Sequence, residues 1–84
     1  MEQANRDVPN GFTVEIAEPD LQNRLLGAWF KSGGVDQPST ADVYTIDGKE
    51  YAVLYNTNGV LAVYDVSGRL KRLEQYPEEI NENY

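Results

Sequence analysis

The chain has 84 residues, fourteen acidic against seven basic, no histidine and no cysteine, for a net charge of −7. That length makes one small domain with a thin stability margin. The missing cysteines exclude disulfides and thiolate metal sites, and the missing histidine removes the commonest general base and the usual zinc ligand.

Residues 1–11 are polar, with Pro9-Asn10-Gly11 as a turn signal, and read as a flexible N-terminal arm. No apolar run follows the start, so a secretory signal is not expected, and no stretch approaches the roughly eighteen apolar residues of a membrane span. Residues 12–17 form a short strand candidate, with Phe12, Val14 and Ile16 on one side and Thr13, Glu15 and Ala17 on the other. Residues 19–32 read as the one amphipathic helix. At 100° per residue, Leu21, Leu25, Leu26, Ala28, Trp29 and Phe30 share an arc about 200° wide. Pro19 and Asp20 suit the helix start, Lys31 suits its end, and Gly33-Gly34 supplies a stop. Gly27 falls on the polar side, where packing gives no reason for it. Residues 32–40 read as a loop.

Asp47-Gly48, Asn58-Gly59 and Ser67-Gly68 then recur at a spacing of about ten residues, the strongest short-range hairpin signals a sequence carries. They divide residues 41–46, 50–56, 60–66 and 69–74 into a four-stranded antiparallel meander. Two-residue turns at Asp47-Gly48 and Asn58-Gly59 would pair Tyr44 with Tyr51, Tyr55 with Ala62, and Val53 with Tyr64. One face then carries Tyr44, Tyr51, Val53, Tyr55, Ala62, Tyr64 and Val66, and the other Val43, Ala52, Leu54, Leu61 and Val63. Asp65 falls on the aliphatic face at a strand end. The two middle strands are apolar on both faces, while the sequence offers one good helix to cover them. After Tyr76-Pro77, residues 78–84 read as an acidic tail, either one helical turn or frayed.

Chemistry-bearing patterns are sparse. No Gly-rich phosphate loop, no EF-hand-like calcium loop and no nucleophile–base pair is present, so neither a catalytic residue nor a cofactor is assigned. The negative balance opposes binding to phosphate backbones and anionic membranes, and favours solubility or a basic partner. Arg69, Lys71 and Arg72 form a basic cluster beside the tyrosines. Tyrosines next to bases could stack single-stranded nucleic acid, but the net charge works against it and no RNP-type pattern accompanies it. A basic edge strand guarded against aggregation fits as well. The four tyrosines would bury about 150–250 Å² each when covered, together more than the apolar patch a monomer usually exposes.

The run Tyr51-Ala-Val-Leu-Tyr-Asn-Thr-Asn-Gly-Val-Leu-Ala-Val-Tyr-Asp-Val, with Leu70-Lys-Arg-Leu and Tyr76-Pro77, resembles the C-terminal half of short cyanobacterial proteins of unassigned function. This chain is the more acidic after Leu73. The resemblance implies a cytoplasmic bacterial setting and transfers neither an activity nor a site residue.

The expectation is therefore an α+β fold, one amphipathic helix on a four- to five-stranded antiparallel meander. Residues 12–77 would form the domain between the N-terminal arm and the acidic tail. The expected function is that of a non-enzymatic protein-interaction or regulatory module, with Tyr44, Tyr51, Tyr55, Tyr64, Arg69, Lys71 and Arg72 meeting a protein partner. The alternatives are a structural subunit or homodimer burying the tyrosine face, and an acidic mimic filling a basic nucleic-acid-binding site.

Overall fold

A computed structural model describes residues 12–82; the expected N-terminal arm and Tyr84 lie outside them. Strand β1 (Phe12–Ile16) leads into helix α1 (Pro19–Lys31). Strands β2 (Thr40–Ile46), β3 (Lys49–Asn56), β4 (Gly59–Asp65) and β5 (Lys71–Arg72) follow, and a short helix α2 (Glu78–Asn81) comes last. The five strands form one antiparallel sheet in the order β1-β2-β3-β4-β5. This is the expected α+β fold, with residues 12–16 as the fifth strand.

Helix α1 ends where the glycines predict. Gly33 N–H donates to the Phe30 carbonyl and Gly34 N–H to the Trp29 carbonyl, with Gly33 at φ +97°. This is the Schellman pattern, which needs a left-handed residue after the cap. Gly34 has a second reason to be glycine: a Cβ there would stand inside the van der Waals envelope of the Trp29 indole. Gly27 has none, since a Cβ would meet nothing within 4 Å.

The two hairpins differ, and the difference sorts the tyrosines. Asp47 and Gly48 both take positive φ, +52° and +80°, the two-residue turn expected, and Tyr44 pairs with Tyr51. In the second hairpin the turn residues are Thr57 and Asn58, one position earlier than predicted, and only Gly59 has positive φ, at +129°. Asn56 Oδ1 accepts the Asn58 N–H at 2.8 Å, an Asx turn that holds the chain in this shape. Asn56 then pairs with Gly59 and Tyr55 with Val60, and the register shifts so that Leu54 meets Ala62 and Ala52 meets Tyr64. The extra residue of this bulge turns the rest of β4 over. Ala62 and Tyr64 therefore lie on the aliphatic side, under α1, and Val63 lies on the tyrosine side. Asp65 also changes sides, opposite Tyr51. The expected assignment of Tyr64 to the tyrosine face is corrected on this ground.

Each face has its own cover. Leu25 and Trp29 of α1 pack with Ala17, Ala41, Ala52, Leu54, Ala62 and Tyr64. The small residues Ala41, Ala52 and Ala62 alternate with Leu54 and Tyr64 across the strands that α1 covers. On the other face Tyr44, Val53 and Val63 pack with Phe12, Ile46 and Ile80, and with half-buried Tyr51, Tyr55, Leu73 and Tyr76. Ile80, in the segment read as an acidic tail, is fully buried. Its helical turn begins at Pro77, whose carbonyl accepts the N–H groups of Ile80 and Asn81 at 3.0 and 3.1 Å. Residues 78–82 thus belong with the core rather than beyond it.

Replacing Ile80 by Ala should cost about 2–5 kcal/mol in urea unfolding, the range for truncating a buried aliphatic side chain. A change below about 0.5 kcal/mol, as for a surface position, would return residues 78–82 to a tail.

Candidate functional site

The residues expected to meet a partner fall into three groups. Tyr44 is 2 % and Tyr64 3 % exposed, on opposite faces of the sheet, so neither presents a ring to solvent. Tyr44 stacks on Phe12, ring centroids 5.6 Å apart. Tyr51 and Tyr55 are half-buried on the face that carries Tyr44. Arg69, Lys71 and Arg72 are exposed at the β5 end of the sheet. The Arg72 guanidinium lies over the Trp29 ring, 5.3 Å from its centroid, a cation–π contact that ties β5 to α1. Trp29 is held again from its other end, its indole N–H donating to the Asp36 carbonyl at 2.9 Å. The predicted cluster is thus not one surface. The bulge divides its tyrosines between two faces, and Arg72 is engaged within the fold.

The Tyr64 hydroxyl is buried with no hydrogen-bond partner among the described residues. Burial pushes its pKa above the ordinary value of 10.0, and the neighbouring Arg72 guanidinium opposes that shift. The Tyr55 pKa is also raised, first by burial and then by Asp42, whose carboxylate repels the phenolate and accepts the phenol's hydrogen bond. At the β4 end, Ser67 N–H donates to Asp65 Oδ1 at 2.9 Å and holds that carboxyl below its ordinary range. Asp65 is therefore a turn-forming acid at a strand end.

What is exposed lies elsewhere. Ile16 is 74 % and Val14 41 % exposed, and both sit in β1, an edge strand of the sheet. By register Val14 stands opposite Tyr44 and Ile16 opposite Asp42, so they continue the tyrosine side beyond the reach of α2. On the helix side, Glu15, Glu18 and Glu50 rim a groove of about 220 Å³ floored by Leu21, Val43 and Val66, with Ile16 at its margin. The signal was present in the sequence: Val14 and Ile16 alternate with Thr13 and Glu15. Pattern alone does not say that a strand lies at an edge or how far its cover extends. Among the described residues there is no cluster of three or more metal-ligating side chains, and no helix is long and apolar enough to cross a membrane. Comparisons with family models, with curated proteins and with solved structures find no match.

Tyr64→Phe removes a buried hydroxyl that bonds to nothing and should stabilise the chain by about 1 kcal/mol. A loss of stability in urea unfolding would reveal a hydrogen bond. The alkaline limb follows from the same shifts. A tyrosine whose folded pKa is raised contributes stability in full below its unfolded value, near 10.0, and loses it as pH rises through the folded value. The wild type should lose stability above about pH 10, and the double variant Tyr55→Phe, Tyr64→Phe should retain more of its own. Identical alkaline unfolding curves would contradict this.

Proposed function

We propose that this chain is a small acidic protein-interaction module, one that acts by binding and catalyses no reaction of its own. The observation that supports the reading is the pair Val14 and Ile16, apolar side chains held in the open on an edge strand of a sheet whose two faces are otherwise covered. An edge strand presents unpaired backbone groups, and exposed apolar side chains on it favour pairing with another chain. The other edge, β5, is two residues long and carries Lys71 and Arg72, which discourage such pairing. Half-buried Tyr51 and Tyr55 would extend the surface inward from β1 along the same face, whereas Tyr44 and Tyr64 would act as core. The net charge of −7 favours a basic partner through steering and disfavours a second copy of the same chain. The cytoplasmic bacterial setting in this reading rests on the cyanobacterial resemblance alone.

Ile16→Glu separates binding from folding. Because the side chain is exposed, the change in unfolding free energy should stay below about 1 kcal/mol. Proteins crosslinked by the wild type should be lost from the variant. Full retention of those partners by a folded Ile16→Glu chain would remove β1 from the function.

A further inference from the structure

Resting on that reading of β1, we infer that the strand is completed by an extended segment of a partner protein in which apolar and basic residues alternate. Ala17 N–H donates to the Ala41 carbonyl, and the register pairs Ile16 with Asp42, Glu15 with Val43 and Val14 with Tyr44. In an antiparallel ladder, residues alternate between turning their backbone groups towards the neighbouring strand and away from it. With residue 17 bonded inward, 15 and 13 are inward as well, and the N–H and C=O groups of Val14 and Ile16 face out from the sheet. No described strand lies beyond them.

The side chains then define the partner. A strand added at this edge places every second side chain next to Val14 and Ile16, where an apolar residue covers exposed apolar surface. The intervening side chains fall on the helix side, next to Glu15 and the groove that Glu18 and Glu50 also rim. Lys or Arg belongs there: its charge meets the Glu15 carboxylate on the neighbouring strand, at the rim of the groove. The two faces of β1 thus ask for opposite chemistries at a period of two, which is the period of an extended segment and of no helix. A second copy of β1 supplies apolar residues to one face but brings Glu15 and its neighbouring acids to the other, where like charges meet.

The probe is a short peptide in which Lys and Val alternate, titrated into the full-length chain while amide chemical shifts are mapped. Three comparison peptides accompany it: alternating Glu and Val, the Lys–Val composition in two blocks, and the alternating peptide N-methylated on its pairing edge. The expected result is saturable binding with the largest shifts at Val14 and Ile16. Binding should weaken about tenfold or more for each comparison peptide, and should weaken with added salt. Glu15→Gln should weaken the Lys–Val peptide and spare Val14 and Ile16 exposure. Equal binding of the block or N-methylated peptide would overturn strand addition, as would shifts centred away from β1 or a light-scattering mass twice that of the monomer. If no peptide binds while Ile16→Glu still abolishes partner capture, the interaction reading stands and the strand-addition inference falls. If Ile16→Glu changes neither, both fall.

Discussion

The constraint on which the structure depends is that β3 and β4 are apolar on both faces. Val53 and Val63 point to one side, and Ala52, Leu54, Ala62 and Tyr64 to the other; all six are buried. An antiparallel sheet of this size commonly leaves one face wet. Here the chain covers both, with a thirteen-residue helix on one face and, on the other, a crossing segment whose deepest side chain is Ile80. Covering two faces with so few residues leaves little to spare, and the cover runs out at β1. That is where Val14 and Ile16 emerge, and the candidate surface is a consequence of how the core is closed.

Two local devices make the arrangement unique. The Asx turn at Asn56 and the positive φ of Gly59 shape the second hairpin, and Leu61, left unpaired between the pairs Tyr55–Val60 and Leu54–Ala62, puts Tyr64 beneath α1 and Val63 opposite it. The second device surrounds Trp29, which is packed against Gly34 and Arg72 and hydrogen-bonded to the loop at Asp36. Helix, loop and last strand therefore meet on one indole. The orphaned hydroxyl of Tyr64 lies in the same cluster, and its burial is the cost of fitting a tyrosine where the register calls for a large apolar ring.

Much of the fold was legible in the sequence because its signals were local. The helix arc, Pro19 at its start, the glycine stop and the Asp47-Gly48 turn each depend on neighbouring residues, and each stands as expected except that Phe30, counted in the arc, is exposed. Three features depended on more distant matters. Asn58-Gly59 matches a two-residue turn as a dipeptide, yet Asn56 competes for the Asn58 amide and moves the turn by one residue. That step alone moves the register by two and would keep every face; the one-residue bulge at Leu61 sends Tyr64 to the other. Ile80 stands among Glu78, Glu79 and Glu82, so composition suggested a tail, while one isoleucine over a sheet suffices as a plug. The exposure of Ile16 is not written in its alternation, which is the same as that of buried strands; it follows from strand order.

Among the described strands β1 is an edge, and its even-numbered residues turn their backbone groups outward. Amide hydrogen exchange of the isolated full-length chain tests this directly. Thr13 and Glu15, bonded to β2, should exchange slowly, and Val14 and Ile16 should exchange at close to the rate of an unprotected amide. Protection of Val14 and Ile16 equal to that of Thr13 and Glu15 would mean that the edge is already filled, and would contradict the account.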